Sequence, residues 1–377
     1  MWYYRDPEVY RTAGATGTPG EYSGLEDLTV WLNNKPISMV NTKFSWIQNV
    51  ETNGEPGEIG RTHENKHIQL SSHTYRCEVK SNFVHGQQNF NPNQKYGIVI
   101  AGSDHYIHDN VVFNHNKPIM MEASSGGNVI AYNFVDNALI EQFKDWNESG
   151  ISTHASFVHH ELIEGNETPN VTIDSTHGNN GFMMIYRNFL RGRNILDANA
   201  PAAWQGQNDN GSGSLRRGVM VDFVNWEVSS IGNVLFEPTD TAEFVDAFPP
   251  DGATPPSSGN RWFDVVTRQR MYQAGFNGWR SNGVTLGEAI DDQFAWNNLH
   301  IHMDYQYHRE ATVNGGQPLL FENPSNPVTT LPDSLHRKTA PSYFSGFTWP
   351  PVDPTGADFA AKVSTLPAKA RLAAGTQ

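Results

Sequence analysis

The sequence predicts an all-β fold, a right-handed parallel β-helix, because one short motif recurs along the chain and a second apolar strand precedes most copies. The motif is an apolar residue, two mixed positions, an asparagine and usually another apolar residue. Its seven copies occupy residues 46–50, 79–83, 107–111, 130–134, 163–167, 185–189 and 230–234. Such a series is typical of a solenoid, in which each coil packs only against its neighbours.

The intervals between copies indicate the length of one coil. The shortest interval, from Asn166 to Asn188, is 22 residues. Longer intervals indicate loops inserted after the third strand of a coil and before the next first strand. These predicted loops cover residues 51–66, 85–95, 137–152, 193–216 and 238–297, and the predicted first strands lie at 67–70, 96–100, 118–121, 171–173 and 218–221.

The repeated asparagine has a physical explanation. Asparagine tolerates left-handed backbone angles, and its amide can hydrogen-bond the equivalent amide about 4.8 Å away in the next coil. We therefore predict a ladder of asparagines that includes Asn49, the asparagine of the first copy. The alternative is that these are ordinary turn residues of an antiparallel sandwich or barrel, and the recurring minimal coil length argues against it.

The repeat predicts one β-helix domain over residues 1–377, with two departures from regularity. Residues 238–297 form a long insertion or loop region that contains a possible helix at 265–272 and could act as a lid or an association surface. Residues 331–377 form a C-terminal tail that packs on the β-helix.

The acidic composition narrows the class of partner. Asp and Glu number 40 against 26 Lys and Arg, so the formal net charge of −14 repels polyanions unless a cation or a local basic patch intervenes. We expect no nucleic-acid partner. We expect no membrane partner either, because no stretch approaches the roughly 18 apolar residues that span a bilayer and the first residues lack a signal-peptide pattern. The single cysteine, Cys77, is expected in a strand interior.

Several segments resemble the pectate-lyase-like superfamily of right-handed β-helix proteins, in particular bacterial secreted members of unassigned activity. The resemblance rests on residues 23–30, 96–98, 127–133, 164–166, 177–180, 187–188 and 232–235, and on a tail from 331 to 371. It implies a carbohydrate-active protein at the cell surface or outside the cell, although the superfamily also includes adhesins and phage tailspikes. The sequence lacks the motif set of a polygalacturonase and the Trp-Ile-Asp-His motif of the commonest pectate lyases.

In that superfamily the substrate groove usually follows the first strands and the turn after them. Counting back 11 residues from the motif asparagines reaches Glu122, His177 and Asp222, and Asp174 lies just upstream of His177. We predict these four as catalytic residues, since glycoside hydrolysis needs one protonated and one ionised carboxyl group. The alternative is that these carboxylates cap turns or pair with basic side chains.

Substrate binding is predicted for four further residues, Asp104, His154, Arg187 and Trp204. The alternatives are a structural ion pair for Arg187 and loop packing for Trp204. A lyase would need Ca²⁺ or a basic side chain to neutralise a uronate carboxylate. Adjacent His159 and His160 would point to opposite faces of an extended strand and could not bind one ion without a distortion, so no metal site is predicted.

Together these features predict an enzyme that cleaves glycosidic bonds of an extracellular polysaccharide, with a glycoside hydrolase ahead of a polysaccharide lyase acting on a uronate-containing polymer. The partner is then a polysaccharide or oligosaccharide substrate. A non-catalytic glycan-binding or adhesive β-helix is the alternative from another class, and it predicts binding without turnover.

Overall fold

The computed structural model of the chain describes residues 3–5, 19–32, 36–54, 65–86, 95–138, 149–174, 177–195, 217–222, 225–235, 243–246, 270–276, 301–304, 307–308 and 331–375. Over these residues the chain winds into a right-handed parallel β-helix, which confirms the predicted fold class. A coil contributes a first, a second and a third strand. Among the described residues, each strand pairs in parallel with the equivalent strand of the next coil.

The first strands form a sheet of nine. In spatial order they are β26 (Glu243–Asp246), β27 (Arg270–Phe276), β23 (Arg217–Asp222), β20 (Val171–Ile173), β17 (Ile151–Thr153), β14 (Lys117–Met121), β11 (Lys95–Ile100), β7 (Asn65–Leu70) and β4 (Ile37–Met39). A short sheet at the corner after these strands contains β2 (Gly20–Glu21), β5 (Thr42–Lys43) and β8 (Thr74–Tyr75). Single bridges at Ser103, Gly126, His159 and Gly181 continue this corner sheet through the later coils.

The second and third strands form one large sheet that bends at the asparagine turn. The second strands are β3 (Gly24–Leu32), β6 (Trp46–Gly54), β9 (Glu78–Lys80), β12 (Tyr106–His108), β15 (Val129–Ala131), β18 (Leu162–Glu164), β21 (Gly181–Tyr186), β24 (Trp226–Ile231) and β28 (Ile301–Asp304). The third strands are β10 (Phe83–Val84), β13 (Val111–His115), β16 (Phe134–Ala138), β19 (Glu167–Thr168), β22 (Phe189–Leu190), β25 (Val234–Leu235) and β29 (Tyr307–His308), while β1 (Tyr3–Arg5) pairs with β3.

The core lies inside the coil, where each strand supplies an aliphatic side chain at the same level of every turn. Ile107, Ile130, Ile163 and Ile185 stack in this way from four successive second strands and have no exposed surface. Burying one such side chain contributes about 1.5–3 kcal/mol. The inward-pointing side chains of the first strands belong to this same core, and the side chains between them point outward.

Six motif asparagines form the predicted ladder at the turn between the second and third strands. They are Asn82, Asn110, Asn133, Asn166, Asn188 and Asn233. The Nδ2 of each of the first five donates to Oδ1 of the next at 2.9 or 3.0 Å. The left-handed backbone belongs to the residue before each asparagine, such as Ser81 with φ 54° and Asp109 with φ 55°, and not to the asparagine itself.

Asn49 is a correction to that prediction. The strand register places Asn49 opposite Ser81, and the backbone N–H of Val50 donates to Oδ1 of Asn82 at 2.9 Å. Asn49 is exposed with φ 52°, and its Nδ2 donates to Oδ1 of Asp27 at 2.6 Å. The match at 46–50 is therefore one residue out of register, because a left-handed turn residue and a ladder residue can both be asparagine.

The C-terminal segment, residues 331–375, packs across the outside of the large sheet. It contains a 3-10 helix (Ser342–Phe344), α1 (Phe359–Lys362) and α2 (Pro367–Ala374). Phe344 is buried beside Tyr132, and Ala368 is buried beside Phe134. Nε of Arg187 donates to the carbonyl of Pro332 at 2.9 Å. This segment covers the asparagine turn from the outside.

Two parts of the predicted domain plan can be compared with the structure. The sequence predicts inserted residues between a third strand and the next first strand, and residues 139–150 stand at that position, between β16 and β17. The possible helix at 265–272 is wrong over its last three residues, because β27 begins at Arg270 and pairs in parallel with β23.

Cys77 is buried in the core. Within the described ranges, no helix is long and apolar enough to cross a membrane.

Candidate functional site

Polar side chains follow three consecutive first strands at their carboxyl ends. Met121 pairs with Thr153, so Glu122 and His154 are the next residues in two adjacent coils. The register of the following pair of strands places Asp174 beside His154 in the third coil. These three residues form a row parallel to the axis of the β-helix, spaced about 4.8 Å per coil.

His154 and Asp174 form a hydrogen-bonded pair. Nδ1 of His154 lies 2.7 Å from Oδ2 of Asp174, whose side chain is 8% exposed, whereas the histidine side chain is 22% exposed. A carboxylate accepts this bond, so Nδ1 is the donor, and in the neutral imidazole Nε2 then keeps the lone pair. The pair therefore holds one imidazole in the tautomer and orientation that a general base requires.

His177 packs against the same imidazole from the loop after β20. The ring centroids of His154 and His177 are 4.8 Å apart and the rings meet edge to face. Burial, and then the neighbouring His154, lower the pKa of His177 below its ordinary value of 6.5, although Asp174 and Glu122 oppose the shift. His177 is therefore mainly neutral at pH 7, which leaves it able to exchange a proton with a bound molecule.

Lysine and tyrosine side chains flank the row on the outer face of the first strands. Lys66 of β7 places its Nζ 2.9 Å from Oε1 of Glu122, two strands away. Tyr96 of β11 pairs in register with Lys66 and with Lys117 of β14. The ring of Tyr96 lies edge to face with His154, with centroids 6.3 Å apart. We name the group Lys66, Tyr96, Lys117, Glu122, His154, Asp174 and His177 the strand-end cluster.

The structure brings together four of the eight predicted site residues. Glu122, Asp174 and His177, predicted as catalytic, and His154, predicted for substrate binding, all belong to the strand-end cluster. The count of 11 residues reaches Glu122 correctly. It reaches His177 where the register has Asp174, because the turns of that coil are longer than those of the coil that contains Glu122.

Two of the predicted residues lie elsewhere in the structure. Asp104 is at the corner after the first strands, exposed, with its Oδ2 3.5 Å from Nε of Arg76. The placement of Arg187 in the groove is wrong: this residue stands before the ladder residue Asn188, is 5% exposed and binds carbonyls of the C-terminal segment. The structural alternative therefore holds for Arg187.

The side chains of the last two predicted site residues, Asp222 and Trp204, lie outside the described part of the structure. Asp222 ends β23, the strand that pairs with β20, and its side chain is outside the description. Trp204 falls between residues 195 and 217, beyond the described ranges. Both stay predictions.

Lys66, Lys117 and Tyr96 were missed by the sequence analysis. Each stands near the start of a first strand, three or more residues before the end where the search for site residues was directed. Long side chains from these positions cross the sheet toward the strand ends, as the contact between Lys66 and Glu122 shows. The signal that could have found them is the shared position of a lysine or tyrosine just before each apolar strand.

Within the described ranges, no group of three or more His, Cys, Asp or Glu residues is arranged to hold a metal ion. No protein-family model, curated protein or solved structure matches the chain. The chemical groups of the strand-end cluster are therefore the guide to function: an oriented imidazole, a second imidazole that is mainly neutral, and two lysine side chains.

Proposed function

We propose that the chain is an enzyme that cleaves glycosidic bonds of a polysaccharide at the strand-end cluster, with His154 as the general base. The observation that carries the proposal is the 2.7 Å contact between Nδ1 of His154 and Oδ2 of Asp174, with the histidine partly exposed. A base held in one tautomer by a buried carboxylate is a recurrent catalytic arrangement.

A linear polymer fits the form of the site. Glu122, His154 and Asp174 form a row along the axis, so a chain bound parallel to that axis meets one coil after another at about 4.8 Å intervals. A small molecule would need only one or two of these coils. The repeated geometry favours a substrate that itself repeats.

Elimination from a uronate-containing polymer is the reaction that these groups fit best. Nε2 of His154 would remove the proton from the carbon beside the uronate carboxylate, and the ammonium groups of Lys66 and Lys117 would stabilise the negative charge that develops. The electron pair of that C–H bond would form a C=C bond as the glycosidic C–O bond on the next carbon breaks, and the leaving oxygen would take a proton from water. These lysines place positive charge at the site, with that of Lys66 already paired with Glu122, on a chain whose net charge of −14 otherwise repels a polyanion.

Hydrolysis is the second candidate, because Glu122 and Asp174 are two coils apart, about 9.6 Å along the axis. That separation lies near the upper end of the roughly 6.5–9.5 Å that inverting glycosidases use. Against this candidate, Glu122 is in an ion pair with Lys66 and Asp174 accepts from His154, so both carboxyl groups have basic partners. A hydrolase would need one of them protonated.

The test is incubation with neutral and uronate-containing polysaccharides, followed by both reducing ends and the ultraviolet absorbance of an unsaturated uronate. We expect both signals on a uronate polymer. Reducing ends without the absorbance would establish hydrolysis instead, and absence of both across the panel would reject the enzyme in favour of a binding protein.

Substitutions then test the assigned base. His154→Ala should lower kcat by about 10²–10⁴-fold, the usual contribution of a general base, while polysaccharide binding is retained. Asp174→Asn keeps the shape of the side chain but replaces a carboxylate with two acceptor oxygens by a neutral amide with one, and it should also lower kcat. His73→Ala is the matched control, because His73 is exposed and lies outside the cluster. Equal rates in the wild type and in His154→Ala would contradict the assignment.

A further inference from the structure

Two adjacent histidines at the corner after the first strands meet in a way that ordinary strand geometry forbids. His159 forms the corner bridge to Gly126 and to Gly181, and His160 follows it with φ 55°. In an extended chain successive side chains point to opposite faces. The left-handed backbone of His160 turns its side chain back, so that Nδ1 of His159 lies 3.0 Å from Nδ1 of His160.

The neighbouring residues hold both rings at the surface. Gly126 leaves room for the imidazole of His159, since a Cβ there would lie 2.4 Å from Cε1 of that ring. On the other side, the ring of His160 stacks on Phe182 of the next coil, with centroids 4.7 Å apart and an interplanar angle of 18°. His159 is half-buried and His160 is exposed, so the two nitrogens are open to ions from solvent.

The separation of the two nitrogens matches a pair of ligands on one metal ion. With metal–nitrogen bonds of about 2.0–2.1 Å, two neighbouring ligand nitrogens are about 2.9 Å apart at a right angle and about 3.4 Å apart at the tetrahedral angle. The observed 3.0 Å falls between these values. We propose that His159 and His160 form a surface site for a divalent transition-metal ion of the Zn²⁺ class, independent of the strand-end cluster.

Metal binding by this pair requires both imidazoles to be neutral, the form of histidine that binds metals. The carboxylate of Asp104 lies beside Gly127, the residue after Gly126: a Cβ built on Gly127 would be 2.7 Å from Oδ1 of Asp104. One protein-bound proton must shift from Nδ1 to Nε2 when the ion replaces the contact between the rings. Water completes the coordination.

The experiment is calorimetric titration of the full chain with ZnCl₂ in a buffer that does not chelate metals. We expect one zinc ion per chain that depends on this pair. His159→Ala and His160→Asn should each weaken that binding at least about tenfold, the loss that disruption of a metal site typically causes. Asparagine is chosen at position 160 because it tolerates a left-handed backbone.

Two further variants separate the site from nonspecific effects. His73→Ala removes an exposed histidine elsewhere and should bind zinc as the wild type does. Gly126→Ala keeps both histidines but displaces the ring of His159, so it should weaken binding, and full affinity in this variant would overturn the proposed geometry.

Three other results would overturn the site itself. They are wild-type chain that binds no zinc at about 1 mM, unchanged zinc affinity in both histidine variants, and Ca²⁺ binding that depends on the same two histidines, because calcium prefers oxygen ligands. Circular dichroism of each variant confirms that the β-helix is intact, so a loss of binding reports on the site.

Discussion

Two corners of the β-helix use the same backbone conformation and differ in what covers them. At the asparagine turn, left-handed residues stack from coil to coil, among them Ser81, Asp109 and Arg187. At the corner after the first strands, a second left-handed stack includes Arg76 and His160.

The asparagine turn is closed on both sides. Inside it lies the ladder, and outside it lies the C-terminal segment, which accepts hydrogen bonds from Arg187 and donates from Arg371 to Asp109 at 2.8 Å. The corner after the first strands carries exposed side chains instead, with Phe157 62% and Phe182 42% exposed. The comparison teaches that one turn geometry can build a scaffold or present side chains, depending on whether another segment covers it.

The largest expected effect is at the ladder. Asn133→Ala removes the acceptor of the backbone N–H and Nδ2 of Asn110 and the donor to the carbonyl of Ile107. Leaving two or three buried polar groups unpaired should lower the free energy of unfolding by about 3–6 kcal/mol, measured by urea denaturation. Asn49→Ala is the matched control, since the same motif residue is exposed there, and should cost about 1 kcal/mol. Equal losses in the two variants would break the distinction between ladder and turn asparagines.

The next effect compares two arginines with the same backbone conformation at the two corners. Arg187→Ala removes three hydrogen bonds to carbonyls of Leu331, Pro332 and Val352, and should lower the free energy of unfolding by about 2–3 kcal/mol. Limited proteolysis should then cut the C-terminal segment faster than in the wild type. Arg76→Ala removes an exposed ion pair with a 3.5 Å contact and a cation–π contact with Tyr75, 5.0 Å from the ring centroid, and should change stability by about 0–1 kcal/mol. A larger loss of stability in Arg76→Ala would show that the corner after the first strands also stabilises the fold.

A third comparison, of pH dependence rather than of a loss at one pH, concerns Glu161, which lies under the corner after the first strands. Burial raises the pKa of Glu161 to about 8, although Asn128 and Ser125 donate hydrogen bonds to it. The folded chain then holds a proton that the unfolded chain releases above its ordinary value of 4.5. The contribution of Glu161 to stability should therefore fall as pH rises from about 5 to about 8 and level off above that.

That contribution is measured as the difference in free energy of unfolding between wild type and Glu161→Gln at each pH. The subtraction removes the opposite trend from His105 and His108, whose pKa values burial lowers to about 4. A difference that stays constant with pH would show that Glu161 keeps its charge on folding.

Much of the fold could be predicted from the sequence, because the β-helix repeats its physical requirements at every coil. Ile107, Ile130 and Ile163 mark the core, and the asparagine three residues later marks the turn. One copy is ambiguous, at Asn49, since asparagine suits two neighbouring positions of the same turn. The helix expected at 265–272 failed over residues 270–272, because the neighbouring strand β23 offers a parallel ladder that no local pattern reveals.

Less of the site could be predicted. Glu122, at the end of its strand, follows from counting, but the partners of Glu122 and His154 depend on register across coils. Lys66 reaches Glu122 across two strands, and no spacing within one coil encodes that contact. The meeting of His159 and His160 depends on the left-handed backbone of His160, whereas an extended chain would point the two side chains to opposite faces.

The C-terminal segment has a consequence for the order in which the protein matures. Its contacts reach Asp109, Tyr132, Glu164 and Arg187, which belong to four successive coils. A solenoid whose coils touch only their neighbours can gain stability one coil at a time during synthesis. Here the middle coils wait for residues made well over a hundred positions later, as Arg187 and Val352 illustrate, 165 residues apart. Residues 331–371 must therefore leave the ribosome before those coils reach their final stability, and a nascent chain halted earlier would be more exposed to proteases and chaperones.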